Sequence, residues 1–146
     1  MKNIILIFTI IFSVNLSSQT HLGYYFGDNT NFDKSIPKPS EILGHEVGEW
    51  HVTHDKLVQY MYAIAEASDR VIIEETGKTY ENRPLLILKV SSSKNIKVLE
   101  DIQRDHIEIS SGKKMNEFYN MPAIVYQGFG VHGNEASASN ASILGI

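Results

Sequence analysis

Residues 121–146 read MPAIVYQGFGVHGNEASASNASILGI. Ala123–Tyr126 is a short apolar, partly β-branched run and predicts a strand. Glycines at 128, 130 and 133 then allow sharp bends and close approach of the backbone. Asn134 is placed to cap a helix that the alanine- and serine-rich residues Glu135 to Ile146 begin. A strand handed to a helix across a glycine-rich turn is the unit of an α/β fold. In open α/β sheets ligands sit beyond the carboxyl ends of the strands. His132 and Glu135 stand at that point.

Working upstream, the same alternation continues. A helix is predicted from Thr53, with Thr53 capping and Asp55 in the first turn. Leu57, Met61, Ile64 and Ala65 recur at helical spacing and give it one buried face, and the pattern ends near Ser68 or Asp69. Val71–Ile73 and Leu85–Leu88 predict two strands separated by turn chemistry at Thr76–Lys78 and Glu81–Pro84. The second strand is apolar throughout and is expected to be covered on both faces. A further helix is expected over Asn95–Ile109 with Ile96, Leu99 and Ile102 inward, followed by a polar loop over 110–120. The fold class is therefore α/β, a mixed and mostly parallel sheet flanked by helices. No internal repeat or low-complexity segment interrupts it.

Residues 1–19 are assigned to a cleaved signal peptide. Lys2, the apolar stretch Ile4–Val14 and the small polar residues that follow have the order that secretion machinery reads. The apolar stretch falls short of the roughly twenty residues a spanning helix needs, so no membrane span remains after cleavage. The expected location is secreted, either extracellular or periplasmic. Residues 20–49 form an irregular lead-in broken by Gly23, Gly27, Pro37 and Pro39, with Tyr24, Tyr25, Phe26 and Phe32 expected to pack on the domain surface. Residues 50–146 form the domain proper.

Composition narrows the chemistry. The chain has 146 residues, enough for one small domain, and 42% of them are hydrophobic, as in ordinary globular proteins. A net charge of −4 gives no basic footprint for nucleic acid. The absence of cysteine removes disulfides, thiolate metal sites and a cysteine nucleophile.

Three motifs have plain explanations. Gly77-Lys78-Thr79 ends like a phosphate loop, but Ile72 stands where that motif needs glycine and a strand follows, so a hairpin turn accounts for it. Residues 44–54, GHEVGEWHVTH, contain His45, Glu46, Glu49, His51 and His54, but Gly48 breaks any single helical face, leaving a loop that leads into a capped helix. Asn140-Ala141-Ser142 matches a glycosylation acceptor, yet it lies in a predicted helix and is given no function.

His132 and Glu135 are the sharper pair. Their spacing is common by chance, but their placement brings an imidazole and a carboxylate to one point. That suits zinc, with ligands at about 2.0–2.2 Å. It equally suits a buried, hydrogen-bonded pair, and the residues alone leave both readings open.

The segment YQGFGVHGNEASASNAS resembles the first zinc-ligand segment of zinc carboxypeptidases related to carboxypeptidase A. The upstream order agrees, with THDKLVQYMYAIAEASDR, then VIIEETGKTYENRPLLILKVSS, a helix and a strand, so that the resemblance covers about residues 50–146. It implies a secreted zinc metallocarboxypeptidase acting on peptides or proteins, with Zn2+ as cofactor and His132 and Glu135 as two metal ligands. It also places the third ligand, the general base and the main substrate-binding residues downstream of Ile146. The chain is thus expected to be an N-terminal part of the catalytic domain, inactive by itself, with Ile143, Leu144 and Ile146 lacking partners. Asn134 departs from the digestive members, which carry arginine there to bind substrate. The His-Gly-Asn-Glu string also resembles aspartoacylase-like amidohydrolases, so the alternatives are an amidohydrolase acting on acyl or cell-wall peptide amides, or a non-catalytic binding domain keeping the fold.

Overall fold

A computed structural model describes residues 22–27, 29–113 and 121–146. The signal-peptide assignment and most of the polar loop over 110–120 lie outside these residues. The chain divides into two compact units between Asp33 and Lys34.

In the first unit, α1 (Leu22–Phe26) replaces part of the irregular lead-in. Its aromatics are exposed rather than covered. They meet edge to face, Tyr24 with Tyr25 at 5.3 Å and Phe26 with Phe32 at 5.5 Å between ring centroids.

The second unit begins with α2 (Pro39–Leu43). Pro39 suits the first helical position, and the Glu41 carboxylate accepts from the Lys38 backbone amide at 3.1 Å. Gly44, with φ +82°, ends the helix in the left-handed conformation and donates to the Ser40 carbonyl at 3.0 Å. A loop over 44–53 then leads into α3 (His54–Ala67). The helix begins and ends within two residues of the sequence expectation. Thr53 is its N-cap residue, yet the hydroxyl does not cap the free amides. It hydrogen-bonds the Asp55 carboxylate and holds that group below its ordinary range.

The helix buries Tyr60, Met61 and Ile64. Leu57 packs at the edge of this face, while Tyr60, absent from the predicted stripe, lies at its centre.

The hairpin β1 (Val71–Lys78) and β2 (Pro84–Val90) is antiparallel. Its register pairs Val71 with Val90 and Ile73 with Leu88, and slips between Glu75 and Gly77. Thr79 closes the turn: its amide donates to the Arg83 carbonyl at 2.9 Å, and its hydroxyl accepts from the Arg83 amide at 3.2 Å. The Gly77-Lys78-Thr79 triplet belongs to the hairpin, but Gly77 and Lys78 are strand residues paired with Leu85 and Pro84. The turn expected at Thr76–Lys78 is instead the end of β1, and only Thr79 enters the turn.

Among the described residues this two-stranded antiparallel hairpin is the whole sheet, so a mostly parallel sheet is not observed. Nor is β2 covered on both faces. Leu86 and Leu88 pack on the core, whereas Leu85 and Ile87 are 47% and 42% exposed. Alternate side chains leave opposite faces of a strand, and α3 covers one face. The other face carries the Lys89–Glu74 ion pair at 2.6 Å.

The helix expected over Asn95–Ile109 is two helices, α4 (Ser93–Lys97) and α5 (Leu99–Ser110), divided at Val98. Ser92 starts α4 by accepting from the Asn95 amide at 3.3 Å. Ile96, Leu99 and Ile102 are half-buried. The last helix, α6 (Ala136–Gly145), returns to the core. Ile143 joins Leu43, Val52, Tyr60, Met61 and Ile64 in the buried apolar cluster found among the described residues. Leu144 is half-buried and Ile146 exposed, so the expectation of three unpartnered residues fails at Ile143.

Candidate functional site

The site residues lie on the connection into α6. Ala123–Tyr126, predicted as a strand, has no regular secondary structure, and Ile124, Val125 and Tyr126 are 66%, 78% and 86% exposed. A strand exists by exchanging backbone hydrogen bonds with a neighbour, and none pairs with this segment among the described residues. The segment is nevertheless held near both ends. His106 on α5 donates from Nε2 to the Pro122 carbonyl at 3.0 Å. At the other end, Phe129 and Gln127 lie close beside Gly145 of α6.

Of the three glycines expected to bend the chain, only Gly130 has the left-handed backbone, with φ +71°. A side chain there would be strained, and Gly130 sets the direction in which the chain enters the site.

His132, Gly133, Asn134 and Glu135 form a turn closed by the Glu135 amide donating to the His132 carbonyl at 3.1 Å. The Glu135 carbonyl accepts in turn from Ala138 at 3.2 Å, opening α6. Glu135 itself, rather than Asn134, is therefore the N-cap residue, and no side chain caps the helix. The expected role of Asn134 is not taken up. Both His132 and Glu135 are exposed. A buried, hydrogen-bonded pair is thus excluded as the reason for their proximity in sequence.

The donor set fits zinc as far as it goes. One imidazole nitrogen and one carboxylate, exposed on a short turn, are ligand types zinc takes. No group of three or more potential ligands occurs among the described residues. The other histidine-rich stretch does not supply one either. His45 donates from Nδ1 to the Glu46 carbonyl at 3.0 Å and stacks on Trp50, while the Glu49 carboxylate accepts from the Glu46 amide at 3.1 Å. These residues shape a loop.

One participant was not visible in the sequence motif. Asn140, five residues after Glu135, accepts at Oδ1 from the Gly48 amide at 3.2 Å and joins α6 to the 44–50 loop. The glycosylation-like triplet drew attention to Asn140 for another reason.

The sequence model of the zinc carboxypeptidase family matches residues 57–145, a span that begins within α3 and includes the hairpin, the His132–Glu135 turn and α6. No curated protein and no solved structure matches the chain.

Proposed function

The chain belongs to the zinc carboxypeptidase family, and from that premise we propose a secreted, zinc-dependent metallocarboxypeptidase that hydrolyses peptide bonds. The observation carrying this reading is that the family match contains the exposed His132–Glu135 turn. His132 offers an imidazole lone pair and Glu135 a carboxylate oxygen, and both act as metal ligands rather than as proton-transfer groups. Zinc, when bound, supplies Lewis-acid polarisation of a peptide carbonyl and activates water near neutral pH. A catalytic zinc takes three protein ligands, and the family resemblance assigns the third to a histidine downstream of this motif. The general base belongs there too.

The chain's own contribution is placement. The reading is supported by the backbone bond that closes the turn from His132 to Glu135 and by the start of α6 directly after Glu135. Open exposure leaves the site accessible to a polypeptide substrate. Asn134 gives a second reading within the same chemistry. It is neutral where digestive members carry arginine, so a substrate lacking a free terminal carboxylate, such as an acyl or cell-wall peptide amide, fits this position as well.

The test is zinc content together with hydrolysis of an N-blocked dipeptide, measured on a longer protein that carries the downstream histidine and general base, and on its His132→Ala and Glu135→Ala variants. Loss of both zinc retention and turnover is expected in each variant. Stoichiometric zinc in either variant refutes the ligand assignment. For secretion, N-terminal sequencing of exported protein is expected to begin near Gln19, and an intact Met1 counts against it.

A further inference from the structure

We propose that Asn140 is a positioning residue for the His132–Glu135 turn, through which the 44–50 loop sets the metal affinity of that turn. The inference rests on the ligand reading above and concerns how Glu135 is held.

Helix α6 is anchored along one face. Ala136, Asn140 and Ile143 follow one another at i, i+4 and i+7. Ile143 is 3% exposed in the core. Asn140 makes the polar anchor: Oδ1 accepts from Gly48 at 3.2 Å and Nδ2 donates to the Ala136 carbonyl at 3.5 Å. At about 1.5 Å rise per residue, Asn140 lies ~7.5 Å and Ile143 ~12 Å beyond Glu135. A rock of only ~10° about the Ile143 anchor therefore moves Glu135 by ~2 Å. Metal ligation tolerates roughly ±0.2 Å. About the Asn140 tether the same rock moves Glu135 by ~1.3 Å, so the tether shortens the lever arm rather than fixing the ligand alone. The Asn140 tether is the nearer restraint.

The partner of that tether is a shaped post rather than a free loop. Gly48 has φ +90°, a backbone that favours glycine, within a small turn bridged between Val47 and Trp50. Glu49 closes the same turn from its side chain, Trp50 stacks on His45, and Val47 packs against the core. Residues 44–50 precede the family match, which begins at residue 57. The Asn140-Ala141-Ser142 triplet is occupied by this arrangement. Its amide is engaged at both ends, and the buried Ser142 hydroxyl donates to the Ser139 carbonyl at 2.8 Å. That is why the triplet serves packing and not glycan attachment.

The tether couples two places, so its effect is reciprocal. If the Gly48–Asn140 bond favours zinc binding, zinc must strengthen that bond by the same factor. The experiment titrates Zn2+ against a chromogenic chelator for the full chain, Asn140→Leu, Asn140→Asp and His132→Ala. Asn140→Leu keeps the bulk and removes the acceptor, and a three- to tenfold weaker zinc Kd is expected, about what one supporting hydrogen bond contributes. Asn140→Asp keeps the acceptor and is expected to restore most of the affinity. Trp50 is the single tryptophan, and its emission is expected to change with zinc in the wild type and the Asp variant but not in the Leu variant. In the unaltered protein, zinc is expected to slow hydrogen exchange of the Gly48 amide, which requires no variant to fold. Unchanged zinc affinity in Asn140→Leu, or Gly48 exchange indifferent to zinc, overturns the proposal while loss of binding in His132→Ala leaves the ligand reading standing. Wild-type zinc affinity in His132→Ala overturns the ligand reading and this inference with it.

Discussion

Replacing Ile143 by alanine tests whether α6 is docked through one residue. Ile143 is 3% exposed and is the α6 member of the buried apolar cluster. Large-to-small changes of this kind cost about 2–5 kcal/mol, less where the site can collapse. The buried cluster around Ile143 is small, which favours partial collapse, and alanine regains a few tenths of a kcal/mol in helix propensity. A loss of about 2–3 kcal/mol follows. With a urea dependence of about 1–3 kcal/mol per molar, the unfolding midpoint should fall by roughly 0.7–3 M. Ile146→Ala is the control, because Ile146 is exposed and its truncation should cost under about 0.5 kcal/mol. Equilibrium urea unfolding followed by far-UV circular dichroism measures both. Equal shifts for the two variants would refute the claim that Ile143 docks the helix.

Two pH effects follow from the core helix. Asp55 is held below its ordinary value of 3.8 by the Thr53 hydroxyl; the associated stability is present above that value and is lost as pH falls through the lower folded value. Thr53→Val should reduce this acid step, read as a flatter dependence of the urea midpoint over about pH 2–5, while the Asp55 and Lys56 backbone amides and the Lys56 charge keep part of it. Burial raises Tyr60 above 10.0, so stability is full below pH 10 and declines as pH rises from there through the folded value. Tyr60→Phe should abolish the decline, and an alkaline slope that persists in the phenylalanine variant assigns it to another group.

What the sequence revealed follows the range of the forces involved. The α3 helix was legible because its apolar period is local, and the hairpin because Glu81 to Pro84 carries turn chemistry within a few residues, although Thr76–Lys78 proved to be strand. The cover on each face of β2 was not legible from its own run Leu85–Leu88. A continuous apolar strand is consistent with two covered faces, but cover depends on what else packs there. The informative signal lay in the partner strand: Glu74 pairs with Ile87 in the register, and its ion pair with Lys89 marks that face as solvated. Likewise Ala123–Tyr126 has strand composition, yet composition supplies no neighbour for its backbone amides.

The site divides along the same line. His132 and Glu135 were visible because a turn and a helix start are encoded within a few positions, and the structure closes that turn with one backbone hydrogen bond. Asn140 was hidden because its partner, Gly48, lies 92 residues away, and because a short glycosylation pattern offers a local explanation for the same letter. Gly48 looked only like a helix breaker. Its positive φ and its amide acquire meaning once α6 lies across the loop. The proposed ligand pair is thus legible locally, whereas its placement depends on long-range contacts. On the proposed reading, substitutions in the 44–50 loop, outside the matched family segment, should alter zinc affinity without touching either proposed ligand.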